Sequence, residues 1–571
     1  MPASSRLRVL LAVVAGLLGS AAFDPVGLVL CGPLAVAGLA LAVRGTRVRT
    51  ALALGTLFGA AFQFALLWWM RAVGPDAWIA LSLIETLYYA VLGPVVMALQ
   101  RVRGWPLWVA AAWVACEELR GTWPFGGFPW GRLAFGTADT PFSALLPWVG
   151  TAGTSLVLAL LGTLAAAAVV ALQAEGRGLV RDRRRVARLV VPLGVLGGVV
   201  ALAALRPYEV PTSGPVVPVA AVQGDVPGAG DDVVPVHREV TENHVRTTVE
   251  LADRVADGTS PEPAFVLWPE NSTAVDPFTD GSTTAGIEEA VAAVGVPVVV
   301  GGMVDAPVEG QVLNQGIVWD DVTGPGDRYA KRHPVPFGEF IPFRNAGLAS
   351  IVDDFDLIPR DMVAGTRDTP LDVAGIRVGN AICFDVAYDD GFRDQVRAGA
   401  QLLTVQTSNA MFIRTHQVDQ QFEITRLRAL ESGKYLVVAA INGQSAVVGP
   451  DGEVVRSIDR RTRGVVEADV VLNDVVTPGL RIGPWVAAGV TAATVLPLLG
   501  LVLAGLGVAW LRRRTVAGER DGASGDAGRR ASGRASGRAE DGGHAEHTAE
   551  NGETGPVGSR GTAGTTRETV G

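Results

Sequence analysis

A thiol at Cys383, a carboxylate at Glu270 and an ammonium at Lys331 stand in three local contexts suited to acyl chemistry. A thiol that attacks an acyl carbon near neutral pH needs a base to take its proton, and the tetrahedral oxyanion that follows needs a fixed donor. A carboxylate and a lysine supply those two roles. A lysine beside the thiol also favours thiolate, whereas apolar burial opposes it. Taken singly, each residue has a plainer reading: a buried structural thiol, a helix-capping carboxylate and a surface charge. Of the other two cysteines, Cys31 and Cys116 fall in or beside strongly apolar runs, so Cys383 has no obvious disulfide partner.

The flanking patterns say what must position these groups. Cys383 closes an alternating apolar run, Ile376 to Phe384, that reads as a buried strand, and Asp385 follows two residues later. Glu270 ends the run Ala264–Trp268 after a proline that stops the ladder, in Leu267-Trp-Pro-Glu-Asn. Lys331 lies in Tyr329-Ala-Lys-Arg-His-Pro-Val-Pro-Phe-Gly-Glu, too proline-rich for a helix, with Glu339 eight residues on. Further strands are expected at Val216–Gln223, Val296–Val304, Leu402–Gln406, Tyr435–Ile441 and Ser445–Val455, the last holding an Asp-Gly hairpin turn. Ala285–Val294 and Gln417–Ser432 read as helices. Strands alternating with helices indicate a layered α/β domain large enough to bury its own core.

The rest of the chain belongs with lipid. Of its 571 residues 49% are hydrophobic and 18% charged, and the net charge of −9 leaves no basic footprint for nucleic acid. Apolar runs near 7–23, 27–43, 51–70, 77–99, 105–118, 143–172, 189–206 and 485–511 predict about eight spans. If all cross, the arginines at 44–49, 101–103, 181–185 and 512–514 fall on one side. The positive-inside rule then places both termini in the cytoplasm and the α/β domain outside. The expected division is an N-terminal bundle at 1–206, an exported catalytic domain at 207–478, a last span at 479–514 and a disordered cytoplasmic tail at 515–571, whose composition buries too little apolar surface to order. Glu85 inside the fourth span reads equally as a hydrogen-bond partner or a site residue. The aromatic, glycine-rich stretch from Glu117 to Phe135 suits a loop at the outer interface, where tryptophans commonly form a belt. The six histidines show no metal-ligand spacing, so neither a metal nor another cofactor is expected.

The order Glu, Lys, Cys, each at a strand end or in a proline-rich loop, resembles the nitrilase superfamily, which implies an αββα sandwich with these three as catalytic triad. With Glu-Leu-Arg-Gly (118–121), Gly-Phe-Pro-Trp (127–130), Trp-Pro-Glu (268–270), Ile-Cys-Phe-Asp (382–385) and Arg-Leu-Arg-Ala-Leu-Glu-Ser-Gly (426–433), the resemblance narrows to its membrane-bound branch, the apolipoprotein N-acyltransferases. It covers residues 7 to 511. It implies Glu270 as general base, Lys331 as oxyanion donor and Cys383 as nucleophile, with Glu339, Phe384 and Asp385 in support. Asp385 stands where the family often has Glu. Ser408-Asn-Ala-Met-Phe-Ile stands where the family often has Asn-Asp-x-aromatic-Phe-Gly, and Met411, Phe412 and Trp268 are expected as lid or substrate contacts. The implied partners are a bilayer phospholipid as acyl donor and diacylated apolipoproteins as acceptors, in a bacterial cytoplasmic membrane. A tethered amidase using the same triad is the alternative, since fold and triad alone do not separate the two. A transporter or receptor leaves the three residues unexplained.

Overall fold

The computed structural model of the chain describes residues 4–175, 183–211, 213–342, 344 and 358–504; the expected tail at 515–571 lies outside the described residues. Among the described residues seven α-helices come first: α1 (Ser5–Ala21), α2 (Cys31–Val43), α3 (Val48–Leu66), α4 (Pro75–Leu99), α5 (Trp105–Arg120), α6 (Leu146–Glu175) and α7 (Arg183–Leu205). They coincide with the seven apolar runs expected there. By length and composition, four helices among the described residues suffice to cross a bilayer: Val48–Leu66, Pro75–Leu99, Ser143–Ala174 and Pro478–Ala504. Between α3 and α4 the backbones touch. A Cβ on Gly55 would lie 2.3 Å from the Tyr89 carbonyl oxygen, and one on Gly93 2.3 Å from that of Ala51. In lipid, where apolar burial gives helices no mutual attraction, such close approach is what packs them. Phe58, Phe62, Tyr89 and Trp113 fill the adjoining space in edge-on and tilted contacts. Glu85 is a structural partner. Buried in α4, it pairs with Arg120 at 2.9 Å, and Arg120 donates to the Phe128 carbonyl at 3.1 Å, so the pair anchors the loop after α5.

The α/β domain runs β1 (Val216–Gln223), α8 (His237–Ala256), β2 (Val266–Leu267), α9 (Gly281–Val294), β3 (Val298–Asp305), β4 (Gln311–Asp320), β5 (Gly324–Ala330), β6 (Asp361–Met362), β7 (Leu371–Val373), β8 (Ile376–Ile382), α10 (Asp389–Arg397), β9 (Leu402–Thr407), α11 (Gln417–Ser432), β10 (Leu436–Ala440), β11 (Ala446–Val448), β12 (Val454–Ser457) and β13 (Gly464–Val471). The chain then enters α12 (Pro478–Ala504). One sheet has the order β13-β1-β2-β3-β4-β5, with β6 on β4; the other is β12-β11-β10-β9-β8-β7.

Strand alternation builds the layers. In β1, Val219 and Ala221 face the second sheet, while Ala220 and Val222 pack under α8 and α9. The outer face of the second sheet, through Ala381, Leu403, Val405 and Val438, meets α10 and α11 and continues into the bundle core. The result is an α-β-β-α sandwich whose second helix layer is also its contact with the bundle.

Elements absent from the sequence reading have polar patterns that hide them. The buried positions of α8 include Thr241, His244, Thr247 and Thr248, and β4 and β5 carry Gln, Asn, Asp and Arg among their apolar residues. The expected strand at 264–268 pairs only at Val266–Leu267, since Pro269 ends the ladder.

Candidate active site

Strands β8 and β9 run parallel from Val378 opposite Leu402 to Ile382 opposite Gln406. At the next residue the chain leaves the sheet, with Cys383 at φ 51° opening a 3₁₀ turn to Ala387. A non-glycine residue in the left-handed region costs roughly 1–3 kcal/mol and persists only where its surroundings hold it. Asp385 is the clamp. Buried, it accepts hydrogen bonds from the Ile382 N–H (3.2 Å), the Tyr329 hydroxyl (3.0 Å) and the backbone N–H groups of Arg332 (3.4 Å) and His333 (2.8 Å). The thiol's turn is thereby fastened to the Lys331 segment.

Glu270 follows β2 and Pro269. Its Oε1 accepts from Asn314 Nδ2 (2.7 Å) and Lys331 Nζ (3.3 Å), and its Oε2 from the Ser408 N–H (2.7 Å). Strand β3 passes so close that a Cβ on Gly301 would lie 2.0 Å from the Pro269 carbonyl oxygen and 2.9 Å from Glu270 Cα. Lys331 directly follows β5 and opens the proline-rich loop expected for it. It continues β5 by one residue, its N–H donating to the Asn314 carbonyl at 2.9 Å. Its side chain is fully buried, with Nζ 2.6 Å from Glu339 Oε1, while Glu339 Oε2 accepts from the Val335 N–H at 2.8 Å.

One cation thus faces two carboxylates beside a thiol. Burial pushes the Cys383 thiol up to about 12; the Glu270 carboxylate adds to the rise and the Lys331 ammonium opposes it. Burial alone would strip Lys331 of its proton, but Glu270 and Glu339 outweigh it and hold the ammonium well above its ordinary value. Glu339 is itself raised, by burial first, with Lys331 pulling it down and Glu270 pushing it up. The resting sulfur is therefore a thiol. A thiol so placed becomes nucleophilic only when a neighbouring base takes its proton.

The two sheets are tied together directly behind these residues. Gln406 Nε2 donates to the Trp268 carbonyl at 2.7 Å, Asn380 Nδ2 to Gln406 Oε1 at 2.8 Å, and Thr404 Oγ1 to Asn380 Oδ1 at 2.8 Å. The polar residues of this layer carry no local signal. Their role comes from facing one another inside an apolar sandwich, where an unpaired amide is costly.

Other expectations need correction. Trp268 is not at the site: fully buried beyond the first sheet, its indole N–H donates to Thr248 on α8 at 2.9 Å. In the stretch from Glu117 to Phe135 only part of the aromatic surface is open: Trp123 is 64% exposed, while Phe128 and Trp130 turn inward. Glu117 to Arg120 complete α5, and in the loop Phe128 and Trp130 are buried, their rings stacked on Phe384 at 5.2 and 6.2 Å. Phe384, next to the thiol, is thus the floor on which a bundle loop rests. Phe412 packs edge-on against Trp69 at 5.3 Å, and Met411 is 51% exposed. Sequence reasoning missed Asn314, which orients Glu270, and Gln421, whose Oε1 lies 3.9 Å from Cys383 Sγ.

Two family models match the chain in tandem: apolipoprotein N-acyltransferase N-terminal domain over residues 15–164, and carbon-nitrogen hydrolase over residues 219–477. The apolipoprotein N-acyltransferase of Mycolicibacterium smegmatis is 34% identical over 486 residues, 82% of this chain and 80% of that protein. That of Ralstonia nicotianae is 31% identical over 527 residues, 84% of this chain and 91% of that protein. The C. elegans NitFhit protein aligns over 46% of this chain and 62% of its own at 19% identity and a TM-score of 0.34. A carbon-nitrogen hydrolase domain fused to that N-terminal domain, with relatives above 30% identity along most of both chains, places this protein in the apolipoprotein N-acyltransferase family.

Proposed function

We propose that this enzyme moves an acyl chain from a membrane phospholipid to the α-amino group of an apolipoprotein's N-terminal diacylglyceryl-cysteine, by way of a thioester on Cys383. The observation that carries the chemistry is the buried cluster in which Lys331 lies 3.3 Å from Glu270 and 2.6 Å from Glu339. In the first half-reaction Glu270 takes the thiol proton and sulfur attacks the ester carbonyl, while Lys331 and backbone N–H groups hold the oxyanion. The S–C bond forms as the C–O bond breaks, and the proton passes from Glu270 to the departing lysophospholipid alkoxide. In the second, Glu270 takes a proton from the attacking amine, the N–C bond forms, and the proton returns to the leaving sulfur. Handing the thiol proton to Glu270 leaves the cluster's net charge unchanged, which makes deprotonation feasible where a lone thiolate is not.

Both substrates are anchored in the bilayer by acyl chains, and the chain's organisation supports this reading. The bundle loop rests on Phe384, so acyl chains held by the membrane half come beside the thiol, away from water that would hydrolyse the thioester. In this reading residues 1–206 form the bundle, 207–478 the catalytic domain outside, and 479–514 the last of about eight spans. The basic clusters and both termini then face the cytoplasm, in a bacterial cytoplasmic membrane.

The test is intact-mass analysis of purified protein incubated with phospholipid and no acceptor, beside Cys383→Ala. An acyl adduct on Cys383 that a diacylated lipopeptide discharges supports the transfer. No adduct from any phospholipid, together with Cys383-dependent hydrolysis of small amides, would overturn it.

A further inference from the structure

Beneath the thiol lies a ring of neutral polar side chains that the proposed reaction does not use. Gln421, in α11 and 3% exposed, directs its amide oxygen at three donors: Cys383 Sγ at 3.9 Å, Asn409 Nδ2 at 3.2 Å and Gln417 Nε2 at 2.7 Å. Its own Nε2 donates to Thr407 Oγ1 at 2.8 Å. Asn409 Nδ2 also donates to Gln417 Oε1 at 3.2 Å, closing the ring. With two amide donors entering on one side and a hydroxyl oxygen receiving on the other, the Gln421 amide has one orientation, and its carbonyl faces sulfur. None of these groups takes a proton near neutral pH, so none competes with Glu270 as base.

The preceding residue faces the bundle. Gln420 Oε1 accepts both the Trp69 and the Trp130 indole N–H groups, at 3.1 and 2.7 Å, and its Nε2 donates to the Asp24 carbonyl at 2.7 Å. Three bundle segments, between α1 and α2, after α3 and after α5, therefore converge on one turn of α11, and the next side chain of that turn touches the nucleophile.

We infer that Gln421 is a positioning residue for Cys383, holding the thiol by its S–H, and that Gln420 ties this hold to the docking of the bundle's tryptophans on α11. Cleavage of the donor ester then depends on the membrane half through a two-residue link, and not only through lipid binding. The inference rests on Cys383 being the nucleophile.

The groups facing the sulfur are Glu270, Lys331 and Glu339, with Thr407 and Gln421 from β9 and α11. A carboxylate in place of the Gln421 amide brings negative charge to the sulfur and disfavours thiolate, whereas a methionine of similar shape removes the carbonyl dipole and relieves it. The experiment compares full-length, lipid-reconstituted wild type, Gln421→Glu, Gln421→Met and Gln420→Leu, with Cys383→Ala as blank. The readouts are the rate of alkylation of Cys383 by a small neutral reagent between about pH 7 and 10, where thiolate reacts and thiol does not, and the rate of acyl-adduct formation from phospholipid. The expected result is that the alkylation profile moves to higher pH in Gln421→Glu and to lower pH in Gln421→Met, while both form the adduct at least about tenfold more slowly. Gln420→Leu slows adduct formation and moves its alkylation profile in the direction of Gln421→Met, because the hold on the thiol loosens with the docking. Loss of packing alone would move both Gln421 profiles in the same direction. Profiles and adduct rates equal to wild type in both Gln421 variants would overturn the role of Gln421, and a wild-type adduct rate in Gln420→Leu would overturn the link to the bundle. Absence of any wild-type adduct on Cys383 would instead strike at the nucleophile reading.

Discussion

Cys383 is a thiol that burial keeps protonated, so its reactivity depends on where its proton goes and what surrounds the charge left behind. Its resting value near 12 predicts that alkylation by a neutral reagent rises about tenfold per pH unit from pH 7 to 10 with no plateau. A plateau near neutrality would mean a stable thiolate and remove the need for a base. Glu270→Gln separates the two parts that the proposed mechanism assigns to that carboxylate. Adduct formation from phospholipid falls by about 10²–10⁴-fold for want of a base. Alkylation at a given pH becomes faster, because a negative neighbour that pushes the thiol up is gone. Lys331→Met acts in one direction on both. Acylation falls by at least about 10²-fold through loss of the oxyanion donor, and alkylation slows at every pH, since the cation opposing the rise in the thiol has been removed while Glu270 and Glu339 remain. Stopped acylation with unchanged alkylation in Lys331→Met would confine Lys331 to substrate contact.

At the scale of elements, the sandwich and the bundle are joined by buried charge as well as by rings. Asp389, at the start of α10, accepts from Arg132 of the aromatic loop and from Arg428 of α11, each at 2.8 Å. Arg132 also pairs with Glu118 of α5, and Glu431 of α11 accepts from the backbone N–H and hydroxyl of Thr151 in α6, both at 2.9 Å. Both guanidiniums are nearly inaccessible. Asp389→Ala leaves two buried cations short of a partner and is expected to destabilise the protein by about 3–5 kcal/mol, read as a lower unfolding temperature in detergent. Burial would raise the Asp389 carboxyl, but Arg132 and Arg428 outweigh it and hold it well below the usual carboxylate range. A depressed folded-state value adds stability above the unfolded value of about 3.9 and loses it as the pH falls through the folded value. Wild type therefore loses this increment on acidification below about pH 4, and Asp389→Asn, lacking it already, has a shallower acid dependence. Equal acid dependence in the two proteins would show that Asp389 is not a net stabiliser.

For the whole molecule the open variable is which side of the bilayer holds each half. Among the described residues four helices are long and apolar enough to cross, and the others are shorter or less apolar. Their mutual packing argues that the others cross with them, because α1 and α2 share one buried core with α3 and α4. Reporter fusions provide the test. A reporter active only in the cytoplasm is expected to work when joined after residues 46, 102 or 514, and one active only outside when joined near residue 260. Cytoplasmic activity near residue 260 would overturn the exported site. The domain's second helix layer also shares that buried core with the bundle. The catalytic half on its own would expose this apolar face, a reason in packing for one continuous chain.

Much of this protein was legible before its coordinates, for a local reason. Apolar runs, strand alternation and the contexts of Glu270, Lys331 and Cys383 are short-range patterns set by backbone geometry and solvent, and among the described residues the structure has helices at the expected runs, a strand ending just before the thiol and another ending three residues before the carboxylate. Other properties depend on which distant segment each residue meets. Trp268 reads as a site residue from its position beside Glu270, yet strand alternation turns it to the far face of the sheet. The stretch from Glu117 to Phe135 reads as an outer-interface loop from its composition, but that Arg120, held by Glu85, seats Phe128 on Phe384 has no local signal. Gln420 and Gln421 read as ordinary positions in a helix; only folding brings Trp69, 351 residues away, against one and the thiol, 38 residues away, against the other. A sequence by itself determines which residues carry chemistry and which segments seek lipid. Which neutral side chains hold the reactive atom is decided by tertiary contact, because a hydrogen bond between distant residues leaves no periodicity along the chain.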